Sequence, residues 1–288
     1  MDDTLIIMAF CLIEDTMRLA DHSSHRLAEV TDAEVLLVGV VAAMYFQNNH
    51  ERALCVMGSG GMRYLTKPLS TSRFNRRLHA LAGCLESILE LLGEMHAVGQ
   101  VYIIDSIPVP VCKSVRARRC RKLLVRGSCR LARPHHYLGK CAAKGWTFYG
   151  WRLHLICTPE GVPVSFQMLP GCWHDLTPIY ELTFGLPKGA CVYADKGYIS
   201  ARVKRTLRPT LKREGVHLIA WHKKSMQPNS FEEWCGLKWY RHLVETANSQ
   251  LESMGIQRLR ARTDEGLSIK VLASLFALAC INMPKPAY

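Results

Sequence analysis

The chain has 288 residues, 49% hydrophobic and 21% charged, the make-up of an ordinary globular protein with a sizeable core. That argues against a low-complexity tail or a disulfide-stapled miniprotein, and a longest apolar run of 12 residues, Val35 to Phe46, falls short of the roughly 18 needed to cross a bilayer. The unusual quantity is charge: 37 Lys and Arg against 24 Asp and Glu give a net +13, the balance of a protein that meets a polyanion, either nucleic acid or an anionic surface.

The first hundred residues read as helical. Leu5 to Ile13 follows Met1-Asp2-Asp3 without the basic segment of a secretory signal, so it is expected to be the first buried helix of a cytoplasmic protein. Thr31-Asp32-Ala33-Glu34 has the spacing of a capping box and introduces the apolar run from Val35 to Phe46. Ser70-Thr71-Ser72 opens a second, long helix with Phe74, Leu78, Leu81, Leu85, Ile88, Leu89 and Leu92 on one face. Arg73, Arg76 and Arg77 lie on its other side, placed to meet a phosphate backbone or to form a solvated basic face. Residues 1–98 are therefore expected to form a helical domain for DNA binding or assembly.

From Gln100 the pattern changes to short β-rich runs. Val101 to Ile104 reads as a strand ending on Asp105, Thr147 to Cys157 and Val162 to Leu169 as a hairpin, and Cys191 to Ala194 as a strand ending on Asp195. A helix is expected after His174-Asp175 and another from Ile199 to Glu214. His217 to Trp221 then reads as a strand, and Leu237 to Met254 as a helix carrying Glu245. Three antiparallel strands followed by two reached through helical crossovers make a mixed α/β sheet covered by helices, spanning 99–261. Residues 262–288 read as a C-terminal helix packing on that domain. The 12 cysteines include no CxxC pair and read as reduced thiols.

The charge is localised. Between Ser106 and Pro159 there is no Asp or Glu, while 12 Lys and Arg fall there, so this one block carries nearly the whole excess. Its centre, residues 112–145 with Arg116, Arg118, Arg119, Arg121, Lys122 and Arg126, is expected to project from the sheet near Asp105 as a DNA-engaging arm, loosely ordered without DNA, the alternative being a plain solvated loop. Asp105 and Asp195, each ending a strand, share one rim if the strands are neighbours, and Glu245 is placed to supply a third carboxylate. Three converging acids repel, and a divalent cation such as Mg²⁺ relieves that repulsion and acts on phosphate oxygens. Each aspartate alone also fits a turn or a helix cap.

Five segments in order carry a resemblance. Asp105-Ser106, Tyr149-Gly150-Trp151-Arg152-Leu153-His154, Gly171-Cys172-Trp173-His174-Asp175, Asp195-Lys196-Gly197-Tyr198 and Arg241-His242-Leu243-Val244-Glu245 resemble the motifs of bacterial insertion-sequence DDE transposases. The resemblance covers about residues 101 to 260. It implies an RNase H-like mixed β-sheet flanked by helices, preceded by the helical N-terminal domain. It further implies Asp105, Asp195 and Glu245 as catalytic and metal-binding acids, with two Mg²⁺ or Mn²⁺ ions per site. The activity it implies is cleavage of transposon ends followed by joining to target DNA. Terminal inverted repeats and target DNA are the implied partners, with a homodimer engaged on DNA, no membrane, and a place in the cytoplasm at the nucleoid. Glu252 and Lys238 depart from the basic residue and the tyrosine that some relatives carry on the last helix. Lys196 and Arg241, beside the acids, are expected either to pair with phosphate or to fix the acids by salt bridges. A nuclease or resolvase on the same fold, and a DNA-binding protein without catalysis, are the alternatives.

Overall fold

The computed structural model describes residues 1–58, 64–120, 123, 133–141, 145–199, 208–223 and 225–284. They fall into two compact units, one of residues 1–91 and 250–288 and one of residues 92–249.

The first unit is helical. α1 (Asp3–Leu19) starts where the Asp2 side chain accepts hydrogen bonds from the Thr4 and Leu5 N–H groups. α2 (Asp32–Phe46) starts with the anticipated capping box, Thr31 and Glu34 each bonding the other's backbone N–H. Residues 33 to 43 of α2 are all buried, so it is a central helix with no solvent face. α3 (His50–Gly58) and α4 (Thr71–Ala80) pack on it. The long helix expected from Ser70 is instead two, α4 and α5 (Ala82–His96). The break falls at Leu81, whose N–H is shared between the Arg77 and Leu78 carbonyls, two residues before Gly83, a weak helix former. Leu78, Leu81 and Leu85 stay buried across it, so the apolar stripe survives the interruption.

The C-terminal helix α9 (Asp264–Asn282), capped by Thr263, packs against α2. It therefore belongs to the helical unit and not to the sheet domain, on which it was expected to pack. The cause is its composition: residues 271 to 280 are buried on every side and need a helical surround. Asn48 stitches this arrangement, its amide donating to the Met254 carbonyl and the Ser274 hydroxyl at 3.0 Å each.

The second unit is a mixed sheet. Its order is β4–β3–β1–β5–β6, from β1 (Val101–Lys113), β3 (Trp146–Cys157), β4 (Pro163–Pro170), β5 (Cys191–Ala194) and β6 (His217–Ala220). β1, β3 and β4 are antiparallel neighbours, and β5 and β6 run parallel to β1. An unanticipated strand, β2 (Leu138–Cys141), pairs with residues 146–149 of β3 on the edge that β4 occupies along residues 151–157. α6 (Ile179–Thr183) and α7 (Arg208–Arg213) contribute Ile179, Leu182 and Leu211 to a core with Tyr102, Ile104 and Val192 of the sheet. α8 (Phe231–Ser253) begins in this unit, and Gly236 lets it approach β5: a methyl group there would lie 2.5 Å from the Tyr193 ring. Of the helix expected from Ile199, residues 200–207 lie outside the described ones.

β1 does not end at Asp105 but runs to Lys113, through Pro108 and Pro110. Proline has no N–H for a sheet ladder and is excluded from central strands. Here β5 pairs only with residues 101–104, so among the described residues β1 is paired from Asp105 onward on the β3 side alone and tolerates both prolines. The register shifts between Pro110 and Cys112, a bulge opposite Gly150.

Candidate active site

The end of β5 creates the site. Ile104 and Ala194 are the last partners in the parallel β1–β5 register, so Asp105 and Asp195 follow side by side where the two strands part. Asp105 is half-buried on the face covered by α8, against a small pocket lined by Ile103, Leu155, Cys157, Leu243, Ala247 and Asn248. Asp195 is exposed and precedes a 3-10 turn, Lys196–Tyr198.

The Asn248 amide donates to Asp105 Oδ2 at 2.6 Å. Burial pushes the Asp105 carboxyl from 3.8 up to about 6; the Ser106 N–H and the Asn248 amide oppose this, and the negative charges of Asp195 and Asp175 add to it. A carboxyl raised in this way is held more comfortably in its protonated form. Its contribution to stability is present below its unfolded value and is lost as pH rises through about 6. In metal-free buffer Asp105→Asn should therefore melt a few degrees above the parent at pH 8, a gain on the order of 1–3 kcal/mol, with no gain at pH 4. Equal melting temperatures at pH 8 would contradict the assigned burial.

Glu245 does not join the pair. It lies exposed on α8, ion-paired with Arg241 at 3.1 Å. Asn248, three residues on, is turned about 60° around the helix from Glu245 and faces Asp105. Among the described residues, no group of three His, Cys, Asp or Glu is arranged to hold a metal ion. The donor chemistry at the fork fits a hard cation in part: the charge of Asp195 adds to the proton affinity of Asp105, and oxygen ligands suit Mg²⁺. Sequence reasoning misses Asn248; its only signal is its spacing from Glu245 on the same helix.

The cationic residues have different fates. Arg73 and Arg76 are exposed on α4, whereas Arg77 is half-buried and spent, donating to the Val30 carbonyl at 2.7 Å and pairing with Asp32 at 2.5 Å. Arg116, Arg118 and Arg119 are exposed in a 3-10 turn, Ser114–Arg119, that follows β1. Lys113 is eight residues beyond Asp105, about 26 Å along an extended strand, so the basic stretch begins farther from the acid than expected. Arg121, Lys122 and Arg126 lie outside the described residues. Both flanks of the 112–145 insertion are built into the sheet, through the end of β1 and through β2. Lys196 is exposed beside Asp195, and Arg241 is the partner of Glu245. The outer side of α8 also exposes Phe231, Trp234 and Trp239, with Lys238 5.0 Å over the Trp234 ring.

On the opposite face of β1 from Asp105 four of the five sequence motifs meet. Ser106 donates to Asp175 Oδ1 at 3.1 Å, and Arg152 donates to Ser106 Oγ at 3.3 Å and to the Lys140 carbonyl at 2.8 Å. His154, fully buried, lies 3.4 Å from the Tyr198 hydroxyl. Burial holds His154 down at about 4, where it is neutral.

Comparison with known proteins gives the family. A family model described as a transposase DDE domain matches residues 95–263. The chain is 27% identical over 138 residues to a transposase for insertion sequence element IS1106 from Neisseria meningitidis serogroup B, covering 48% of this chain and 47% of that protein. The match thus spans about half the length of that relative. No solved structure matches. No helix among the described residues is long and apolar enough to cross a membrane.

Proposed function

This chain belongs to the transposase DDE domain family, and from that premise we propose that it cleaves the ends of a mobile DNA element and joins them to target DNA. The observation that carries the reading is the pair of aspartates side by side where β1 and β5 part, on neighbouring strands of a mixed sheet. In this reading Asp105 and Asp195 hold a divalent cation, with Glu245 as the third acid. Participation of Glu245 requires its pair with Arg241 to open and α8 to turn, bringing it toward the position from which Asn248 now holds Asp105. Two Mg²⁺ or Mn²⁺ ions, when bound, supply the positive charge that favours an attacking and a leaving oxygen in line at phosphorus.

The chain's own residues do the rest. Asn248 restrains one Asp105 oxygen. Lys196, exposed next to Asp195, is placed to meet a phosphate oxygen. The reaction is hydrolysis of a phosphodiester to a 3′-hydroxyl and a 5′-phosphate. That 3′-hydroxyl then attacks a target phosphodiester and displaces a target 3′-oxygen, which leaves with the proton. Two ends and one target call for a homodimer on DNA.

The exposed arginines at the end of β1 are the proposed backbone contacts. Each phosphate neutralised contributes about 0.9 to the slope of log affinity against log salt. Replacing Arg116, Arg118 and Arg119 with glutamine should flatten that slope by about 2–3 units in a fluorescence-anisotropy titration. An unchanged slope would remove this turn from the interface.

The function itself is tested with labelled duplexes taken from the DNA on either side of the reading frame, a target plasmid and Mg²⁺. Covalent attachment of label to plasmid is expected. Cleaved duplex with no joined product would favour a nuclease or resolvase on the same fold, and binding without cleavage would favour a catalytically silent DNA-binding protein.

A further inference from the structure

We propose that Asp175 is a positioning residue that fixes the geometry of the Asp105–Asp195 pair by tying together the two chain segments that carry them. The inference rests on the reading of those two aspartates as the active pair. The sheet alone leaves them underdetermined: ladder pairing between β1 and β5 stops at Ile104 and Ala194, and beyond it Asp195 starts a short turn. Asp175 bridges that gap. Its Oδ1 accepts the hydrogen bond from Ser106, the residue after Asp105. Its Oδ2 lies against the backbone of Gly197, two residues after Asp195, only 2.7 Å from where a methyl group on that glycine would stand. One carboxylate thus bonds the first segment and sits close to the second, and a methyl group at 197 would press on its Oδ2 and force it to shift.

Other features agree. Asp175 is not a helix cap: α6 starts after Pro178 with no side-chain cap bond. Arg152 offsets its charge, with Nε 3.9 Å from Oδ1, and is anchored in turn by Ser106 and the Lys140 carbonyl. The guanidinium of Arg152 also lies 5.8 Å over the Phe148 ring, which fixes its orientation.

The test uses the full chain and nicking of a supercoiled plasmid in Mn²⁺. kcat, KM for plasmid and the Mn²⁺ half-saturation are measured for Asp175→Ala, Asp175→Asn, Gly197→Ala and the Asp175→Ala/Gly197→Ala pair, with melting temperatures alongside. Misplacement of reacting groups by about an ångström costs about 100-fold, and loss of a supporting contact weakens metal binding about 10-fold or more. Asp175→Ala should therefore lower kcat about 10- to 100-fold and raise the Mn²⁺ half-saturation, while leaving KM for plasmid unchanged. Asp175→Asn, whose amide oxygen still accepts from Ser106, should recover most of the rate. Gly197→Ala should be defective alone but add little to Asp175→Ala, because the clashing oxygen is then gone. Folded Asp175→Ala with the parent's kcat and half-saturation overturns the proposal, as do defects that simply multiply in the double variant. If Asp175→Ala does not fold, Ser106→Ala, which breaks the same tie, must show the same change in kcat and half-saturation or the proposal fails. Asp105→Asn, run in parallel, separates the two levels. Full activity in that variant rejects the active pair, whereas its loss beside an unaffected Asp175→Ala rejects only the role of Asp175.

Discussion

Replacing Asp105 or Asp195 with asparagine is expected to lower plasmid nicking and strand joining by about 1,000-fold or more, with duplex affinity unchanged. Asparagine keeps the shape of the side chain and removes only the negative charge. An acceleration of phosphodiester cleavage that depends on metal charge held by two carboxylates loses several kcal/mol when one becomes neutral, and each 1.36 kcal/mol is tenfold in rate. Folding does not confound the comparison. Burial has raised the Asp105 carboxyl to about 6, so the neutral variant is expected to be no less stable than the parent at neutral pH. A protein that is thus better folded and catalytically dead separates the cost of the site from the stability of the sheet. Retention of more than a tenth of the parent rate in either variant would remove that aspartate from the chemistry.

A large effect on folding is expected at Gly150. A methyl group there would lie 2.4 Å from the Val109 carbonyl oxygen and 2.7 Å from the Val111 nitrogen, both backbone atoms of β1 at its bulge. Backbone cannot rotate away as a side chain can, so Gly150→Ala forces β1 and β3 apart along their most extensive pairing. A cost of about 3 kcal/mol or more is expected, a fall of about 6–12 °C in melting temperature. Gly83→Ala is the contrasting change. Gly83 is exposed in α5, a methyl group there would have nothing within 4 Å, and alanine should stabilise by about 0.5–1 kcal/mol. A Gly150→Ala protein that melts with the parent would mean that β1 and β3 are not in this register.

What the sequence conveys here is local, and what it hides depends on neighbours. The Thr31–Glu34 capping box and the β3–β4 hairpin are legible because turn chemistry and periodicity act over a few residues. The full length of β1 is not, since Pro108 and Pro110 signal an end to any strand that must pair on both sides, and only the sheet order reveals that β5 stops first. The partner of α9 is equally hidden: a helix apolar on every side announces burial but not against what. In the site, Asp105 and Asp195 both read as strand ends, yet only β5 ends there, and it is the end of the β1–β5 pairing that sets them side by side; the helix motif cannot tell which side of α8 faces the sheet, and Asn248 takes the place next to Asp105. Asp175, Arg152 and Tyr198 are visible as motif letters. Their joint role emerges only when four distant segments meet behind β1.

The acidic fork is tested most directly by anomalous scattering from crystals of the full chain soaked in Mn²⁺. A manganese peak is expected within about 2.0–2.3 Å of carboxylate oxygens from both Asp105 and Asp195, and absent from Asp195→Asn crystals. Manganese bound at other residues, with none between these two aspartates in the parent protein, would contradict the proposed active site.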